Sequence, residues 1–468
     1  MFSGALLALA YAVLLVPLAC YVLPPVTDAL TGARMERAEV VPEHLRPPGE
    51  LTGSGTVTVP RASDPLPDPQ QLARLLDAEL AIEGSGQFHA VVTDALTGTV
   101  LYDRSGSAGL APASTLKILT AAAAMSTMDA GTRFSTTVLS GSEPGTVVLR
   151  GGGDVLLTAG DSDPESVAGR AGLATLAGQA ASALDAKTAA GPVRVVVDDS
   201  LFTGPALSDA WGEADVEAGE IAPIHALAVS SAWAEEGIGP GLRVPDAALA
   251  AGEAFRDALA GEGIEVEEAV ERGTAPAGAD TLAEVRSAPL SEQVGYMLLN
   301  SDNYLAEVLA RLSADASGRE ASFTGGIETV RAQVQALGVD TGSMVLGDAS
   351  GLSAETSVSA AQLTALMRIL LTAPDPELRA VTAGLPVAAL SGTLSGRYDE
   401  TFDSTAAGIV RAKTGTLLAV TALSGYATDA DGRVLAFTFV ADGLDGNIQA
   451  ARDAVDAAAA VLAGCGCR

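Results

Sequence analysis

Three short polar motifs, far apart in the chain, constrain the fold of this sequence more than any other feature. Only three of the 468 residues are lysines and only three are asparagines. Two of the lysines and one of the asparagines fall within the motifs, more than chance placement of such rare residues explains. We therefore expect the fold to bring the three segments into one site. The motifs are Ser114-Thr115-Leu116-Lys117, Ser301-Asp302-Asn303 and Lys413-Thr414-Gly415-Thr416.

The first motif places a lysine, Lys117, three positions after a serine, Ser114. Residues three apart share one face of a helix, so the lysine amine can reach back to the serine hydroxyl. A serine hydroxyl is a weak nucleophile until a base removes its proton. Lysine becomes such a base when burial and a second cation lower its pKa, and we predict that Lys413 is that cation.

The second motif supplies groups that acyl transfer needs to protonate the leaving amine and to hold the substrate. The hydroxyl of Ser301 can relay a proton to a leaving amine, and the side chain of Asn303 can hold a substrate amide. The backbone N–H groups of Ser114 and Thr416 are candidate donors to the oxyanion that forms during attack. These roles predict a serine acyl-transfer site.

The third motif supplies substrate contacts. Gly415 lets a substrate backbone approach the strand closely, and the side chains of Lys413, Thr414 and Thr416 suit a substrate carboxylate. The predicted catalytic residues are Ser114, Lys117, Ser301 and Asn303, and the predicted substrate-binding residues are Lys413, Thr414, Gly415 and Thr416.

The three motifs resemble those of the penicillin-binding proteins and serine β-lactamases. The 184 positions from Lys117 to Ser301 resemble one group among them, the D-alanyl-D-alanine carboxypeptidase/endopeptidase family. Its members are low-molecular-mass penicillin-binding proteins with domains inserted between the first and second motifs. Further segments resemble this family's insert and the regions around its second and third motifs. They are Gly151–Asp154, Val195–Phe202, Asp348–Ser353, Ser391–Leu394 with Arg397, and Arg411–Leu417.

The resemblance implies an α+β fold and a serine D-Ala-D-Ala carboxypeptidase that acts on peptidoglycan stem peptides through an acyl-enzyme on Ser114. Endopeptidase action on cross-links would use the same chemistry, and β-lactams would acylate the same serine. No metal or other cofactor is implied. A serine β-lactamase is one alternative, although no Glu-x-x-Leu-Asn motif for deacylation is present. A non-catalytic wall-binding protein is the other, although the intact motifs argue against a decayed site.

The sequence also predicts a domain organisation. Residues 1–27 carry no charged side chain and include an apolar run long enough to span a bilayer. We expect this segment to be a membrane anchor or signal segment that places the rest outside the cytoplasm, in the cell envelope. A Pro-rich linker, 28–68, follows it. A penicillin-binding/β-lactamase-like transpeptidase domain, an antiparallel sheet flanked by helices, is predicted over 69–140 and 288–468, with a mixed α/β region inserted at 141–287.

Composition excludes other functions. The 58 acidic and 27 basic residues give a net charge of −31, so no basic surface is available for nucleic acid. The three histidines are scattered and form no Cys/His cluster, which argues against a metal site. For Cys465 and Cys467 both a local disulfide and free thiols remain open. Asp348 and Ser350 suit either the lining of the cleft or a tight turn.

Hydrophobic periodicity predicts the main elements. Strand pairs are expected at 88–93 with 99–102 and at 419–427 with 434–440. Helical stretches are expected at 70–82, 114–128, 291–312, 327–337, 357–371 and 447–463. Within 291–312, the motif Ser301-Asp302-Asn303 is expected to lie between two helical runs.

Overall fold

The computed structural model of the protein describes residues 65–184, 191–235, 241–398 and 403–467. The predicted membrane segment, 1–27, and the predicted linker as far as residue 64 lie outside the described residues. Among the residues that are described, no helix is both long and apolar enough to cross a membrane.

Strands and helices succeed one another irregularly, as expected for an α+β protein. The strands described are β1 (Gln87–Asp94), β2 (Val100–Arg104), β3 (Gly109–Leu110), β4 (Ser135–Ser140), β5 (Thr146–Gly151), β6 (Val193–Asp198), β7 (Val266–Arg272), β8 (Thr281–Arg286), β9 (Val358–Ser359), β10 (Arg411–Leu417), β11 (Val420–Thr428) and β12 (Val434–Asp442). The helices described are α1 (Pro69–Glu79), α2 (Lys117–Thr127), α3 (Leu173–Ala183), α4 (Glu213–Glu217), α5 (Ala247–Gly261), α6 (Leu290–Asn300), α7 (Asn303–Ala316), α8 (Phe323–Ala336), α9 (Ala360–Thr372), α10 (Pro376–Ala383) and α11 (Ile448–Gly464). Both predicted strand pairs are confirmed, and each predicted helical stretch contains a helix.

The first sheet joins strands from the two ends of the described chain in the order β10-β11-β12-β1-β2. All its neighbouring strands are antiparallel. Alternate residues face two helical layers. Phe437 and Phe439 pack with Leu72 of α1 and Val455 of α11, whereas Ala436 belongs to the cluster that contains α9. The predicted antiparallel sheet flanked by helices is therefore present, with β10 at its edge.

The second sheet has the order β7-β6-β5-β4-β8. Its β5–β6 and β6–β7 pairs are parallel, and its β4–β5 and β4–β8 pairs are antiparallel. The helices α3 and α5 bury apolar side chains against it, including Leu176 and Phe255. Strand β4 precedes residue 141, where the inserted region is predicted to begin, so this sheet takes one strand from outside that region. The domain limits themselves stay a prediction.

The two ends of the described chain are tied together beside α11. Cys465 and Cys467 form a disulfide, which is one of the two states that the sequence left open. The carbonyl oxygen of Cys467 accepts a hydrogen bond of 2.6 Å from the amide of Asp68. The Asp68 side chain in turn caps α1 by accepting from the amide of Gln71. The segment around Cys467 therefore contacts the residue that caps the first helix.

Candidate active site

Ser114 and Lys117 lie where a 3-10 turn, Ala113–Leu116, passes into helix α2. The Nζ atom of Lys117 donates to Oγ of Ser114 at 2.9 Å, as the three-residue spacing predicts. Ala113 has a φ of 47°, a left-handed conformation that costs energy for a residue with a Cβ. The turn thereby holds the serine at the start of the helix, with the lysine side chain buried behind it.

Two further acceptors hold the ammonium group of Lys117. Its Nζ donates to Oδ1 of Asn303 at 2.6 Å and to the carbonyl oxygen of Ser350 at 2.7 Å. Burial lowers the pKa of Lys117 to about 8, against the opposing charges of Asp348, Asp302, Glu307 and Glu220. The lysine can therefore lose a proton at near-neutral pH while it keeps its position.

Ser301 and Lys413 form a second serine–lysine pair. The Nζ atom of Lys413 donates to Oγ of Ser301 at 2.9 Å and to the carbonyl oxygen of Thr414 at 2.9 Å. Burial holds the pKa of Lys413 well below its usual value, and the charges of Lys117 and Arg397 lower it further. The sequence predicted that burial and a second cation together lower the pKa of Lys117. Burial is the main cause at Lys117, and the charge of Lys117 lowers the pKa of Lys413, because two neighbouring ammonium groups repel each other.

A left-handed residue shapes the second motif. Helix α6 ends at Asn300, and Ser301 has φ 56° and ψ 35°. Asp302 then caps α7 by accepting from the amide of Leu305 at 3.1 Å. The stretch predicted as helical at 291–312 is therefore two helices, and the break places Ser301 and Asn303 on the same site.

Strand β10 brings the third motif alongside Ser114. A Cβ added to Gly415 would lie 2.9 Å from the carbonyl oxygen of Pro112 and 3.2 Å from the amide nitrogen of Ser114. Only glycine therefore allows this strand to approach the serine so closely. The side chain of Thr414 donates to Oγ1 of Thr393 at 2.8 Å, and Thr416 is exposed on the same strand.

The loop 348–353 forms the wall behind Lys117. The buried carboxylate of Asp348 accepts from the backbone amides of Gly351, Leu352 and Ser353 and from the hydroxyl of Ser350. Of the two roles that the sequence allowed for Asp348, its contacts are those of a turn former. Its effect on the site is indirect, because the turn directs the Ser350 carbonyl at Lys117.

The segment predicted as an insert also supports the site, which sequence reasoning missed. Glu220 accepts a hydrogen bond of 2.9 Å at its carbonyl oxygen from Nδ2 of Asn303. The hydroxyl of Ser231 donates to Asp302, and the indole N–H of Trp211 donates to Asp348 at 3.1 Å. Contacts between residues so far apart in sequence leave no local pattern by which to predict them.

Glu307 is a second buried group that sequence reasoning missed. It lies one helical turn after Asn303 on α7 and accepts at Oε1 from the amide of Ala349 at 2.9 Å. Burial raises its pKa to about 8, and the charge of Asp348 adds to the increase. The i, i+4 spacing from Asn303 is the signal that would have found it.

The two lysine–serine pairs lie close enough for their charges to interact, and they form the arrangement expected of a serine acyl-transfer site. The family model described as the D-Ala-D-Ala carboxypeptidase 3 (S13) family matches residues 70–240 and 232–463. The chain belongs to this family, and the resemblance stated from the motifs is confirmed.

Individual relatives agree with this family membership. The chain is 38% identical to carboxypeptidase DacB of Mycolicibacterium smegmatis over 93% of both chains. It is 30% identical to a D-alanyl-D-alanine carboxypeptidase of an Actinomadura species, over 90% of this chain and 94% of the relative. The crystal structure of penicillin binding protein 4 (dacB) from Haemophilus influenzae matches with a TM-score of 0.68 at 21% identity, covering 84% of this chain and 98% of that one. The α+β fold predicted from the sequence is confirmed.

Proposed function

We propose that the protein hydrolyses the D-Ala-D-Ala peptide bond of peptidoglycan stem peptides through an acyl-enzyme on Ser114. Its membership of the carboxypeptidase family makes it a serine-type peptidase. The observation that carries the assignment of residues is the 2.9 Å contact between Nζ of the buried Lys117 and Oγ of Ser114. A basic amine at that distance can take the hydroxyl proton as the oxygen attacks.

The partners of Lys117 determine which proton it exchanges. An ammonium group has three N–H donors, and two of them face oxygens that accept but hold no proton to give, those of Asn303 and Ser350. The third faces the Ser114 hydroxyl. When Lys117 is neutral, its lone pair therefore points at Ser114. With a pKa of about 8, roughly one-tenth of the lysine is neutral at pH 7.

The second pair serves the leaving amine. Ser301 accepts from Lys413, so its own hydroxyl proton is free to face the scissile nitrogen. As the peptide bond breaks, Ser301 gives this proton to D-alanine and recovers one from a lysine. With this one proton D-alanine leaves as a neutral amine, and the acyl group stays on Ser114 until water releases it.

The edge strand β10 suits an extended peptide. Its inner edge pairs with β11, and its outer edge is bridged to Val387 at Arg411, where the strand begins. The outer edge beyond this bridge, at 413–417, can therefore bind substrate as an added strand. Gly415 brings that edge to the Ser114 amide, and the N–H groups of Ser114 and Thr416 are the oxyanion donors that we propose. The hydroxyls of Thr414 and Thr416, with the charge of Lys413, suit the terminal carboxylate of the substrate.

We also propose that the enzyme works outside the cytoplasm, held to the membrane by residues 1–27. The uncharged apolar character of this segment supports the proposal, as does the location of peptidoglycan in the cell envelope. Endopeptidase cleavage of cross-links is consistent with the same residues, because both reactions break a bond to the carbonyl of D-alanine.

Mass spectrometry of products from purified peptidoglycan fragments tests the proposed reaction. The wild type should release D-alanine from pentapeptides, and any cleavage of cross-linked dimers would appear in the same spectrum. Ser114→Ala should do neither. Ser126→Ala is the matched control, because this serine lies on the same helix and its hydroxyl only donates to the backbone of Ala122; it should retain activity.

Labelled penicillin gives a second readout. A long-lived adduct should form on the wild type and on Ser126→Ala but not on Ser114→Ala. Rapid turnover of the β-lactam without release of D-alanine from pentapeptides would identify a β-lactamase instead. A wild type that neither cleaves fragments nor becomes labelled would contradict the proposal.

A further inference from the structure

A cavity of about 360 Å³ lies away from the catalytic residues, between helix α7 and the segment after β6. Its lining includes Asp199, Phe202, Ile224, His225, Arg272 and Arg311. Arg311 is eight residues after Asn303 on α7, which is about 12 Å along a helix axis. Neither the serine–lysine pairs nor the substrate strand contributes to this lining.

Arg311 is the unusual member of the lining, because it is only 1% exposed. Its guanidinium lies over the ring of Phe323, with 4.0 Å to the centroid, and 5.2 Å from the centroid of Phe202. Its Nη2 donates to the carbonyl oxygen of Pro205 at 3.1 Å, whereas its buried Nε has no hydrogen-bond partner. Within the described ranges of the chain, no carboxylate oxygen lies within 4 Å of this guanidinium.

The other charged groups of the cavity pair with one another rather than with Arg311. Arg272 donates to both Asp199 and Asp246, at 2.9 Å and 3.0 Å. His225 lies 2.8 Å from Asp199 through Nδ1. These contacts use the carboxylate of Asp199, so it does not compensate Arg311. Glu307, one helical turn before Arg311 on α7, is the carboxylate whose charge acts on it. Burial raises the pKa of Glu307 to about 8, so at neutral pH it is largely protonated, and the positive charge of Arg311 remains at the wall of an open space.

A buried charge without a counter-ion is costly, and a buried donor without a partner adds to that cost. Stacking on two aromatic rings offsets part of it. The rings also hold the guanidinium plane in one orientation, which favours an in-plane acceptor. A carboxylate provides such an acceptor and the missing negative charge together.

We propose that this cavity is a binding site for a small monocarboxylate with a short apolar chain, with its carboxylate against Arg311. A guanidinium with no carboxylate in contact matches a monoanion, whereas the carboxylate of Asp199 in the same wall disfavours a dianion such as phosphate. Phe202 and Ile224 provide apolar surface for the chain. The site is distinct from the proposed peptidase site and is not required for its chemistry.

Isothermal titration calorimetry with butyrate tests the proposal, with butyramide as the neutral isostere and inorganic phosphate as the dianion. The wild type should bind butyrate at least tenfold more tightly than either. Arg311→Met keeps an unbranched apolar stem and removes the guanidinium with its charge, so it should lose butyrate binding. Arg133→Met, at an arginine that lines a separate cavity, should leave binding unchanged.

A second variant tests the site independently, in case Arg311→Met does not fold. Ala206→Phe places a ring in the cavity, because Ala206 belongs to its lining, and should abolish butyrate binding while penicillin still labels Ser114. Equal affinity for butyrate and butyramide, tighter binding of phosphate, unchanged binding in either cavity variant, or no butyrate binding by the wild type would each overturn the proposal. A wild type that penicillin does not label would contradict the proposed peptidase function but would leave the proposed carboxylate site untouched.

Discussion

Lys117 and Asn303 lie 186 positions apart in the sequence, and Nζ of the lysine donates to Oδ1 of the asparagine at 2.6 Å. The amide nitrogen of the same asparagine donates to the carbonyl oxygen of Glu220, so the orientation of its side chain is fixed. Asn303 therefore presents an oxygen to Lys117 in either protonation state of the lysine. This contact lets the amine lose a proton toward Ser114 without moving.

Acylation should depend on the neutral form of Lys117. Because burial lowers its pKa to about 8, the neutral fraction grows as pH rises through that value. We expect the second-order rate of penicillin acylation to rise about tenfold per pH unit below pH 8 and to level off above it. Stopped-flow measurement with a fluorescent penicillin from pH 6 to 10 checks this, and a rate that is flat across that range would contradict the role of Lys117.

Glu307 should influence the pH at which the acylation rate reaches half of its maximum. Its negative charge is one of those that favour the charged form of Lys117. Replacing it in Glu307→Gln keeps an oxygen for the amide of Ala349 and removes the charge. Because the pKa of Glu307 is itself raised to about 8, its carboxylate is only partly ionised near the midpoint. The midpoint of the acylation profile should therefore move to lower pH by less than about one unit.

The matched control for this change is Glu377→Gln. That carboxylate also accepts from a backbone amide of another element, that of Ala130 at 2.9 Å, and it is not among the charges that act on Lys117. The pH profile of Glu377→Gln should coincide with that of the wild type. An upward shift of the midpoint in Glu307→Gln would show that the glutamate does not favour the ammonium form.

The parts of the fold that local pattern encodes could be predicted from sequence. Alternation of apolar residues marked β1 and β12, and helical spacing marked α2 and α9, because the period of burial follows the local backbone. The position of Ser301-Asp302-Asn303 between two helical runs was also predicted. The left-handed conformation of Ser301 was not, because a left-handed serine has no strong local signal.

The site could be predicted in its motif residues but not in its supports. The rarity of lysine and asparagine pointed to Lys117, Asn303 and Lys413, because chemistry fixes those residue types. Glu220 orients Asn303 through its backbone carbonyl oxygen. Trp211 supports the turn at Asp348 through a single hydrogen bond from its indole N–H. Such contacts depend on how distant segments pack, which no periodicity in one sequence records.

The close approach of β10 to Ser114 should not tolerate a methyl group. In Gly415→Ala the new Cβ would lie 2.9 Å from both the Pro112 oxygen and the Ala113 Cβ, so the strand must move away from the nucleophile. We expect acylation to slow by on the order of 10- to 100-fold. Gly396→Ala is the control, since its Cβ would meet no heavy atom within 4 Å, and similar rates for the two variants would argue against this constraint.

Trp211 should stabilise the loop that holds Lys117. Its indole N–H donates to the buried carboxylate of Asp348, and hydrogen bonds to charged groups contribute about 1.5–3 kcal/mol. Trp211→Phe should lower the free energy of unfolding in urea by about this amount and should also slow acylation. Trp233→Phe, at the other of the two tryptophans, keeps a ring beneath Arg243 and should lose less stability; an equal loss would count against the hydrogen bond.

Asp154 should make stability depend on pH. It follows β5, is 1% exposed and accepts a hydrogen bond of 3.0 Å from the amide of Leu156. Burial raises its pKa from 3.8 to about 7, so the folded state holds a proton that the unfolded state releases. Its contribution is complete below about pH 4 and is lost as pH rises through 7.

Asp154→Asn should therefore reduce the loss of unfolding free energy between pH 5 and 8 by on the order of 2 kcal/mol. Urea titrations at both values measure the difference. Asp198→Asn is the comparison, because that buried aspartate at the end of β6 accepts from the amides of Ser200 and Ala275 and from the Ser200 hydroxyl. Asp198→Asn should lower the free energy of unfolding at both pH values. Asparagine carries no charge and has one acceptor oxygen in place of two, so it cannot accept from all three donors as the carboxylate does. If the pH dependence of Asp154→Asn matches that of the wild type, the buried carboxyl is not the group that titrates.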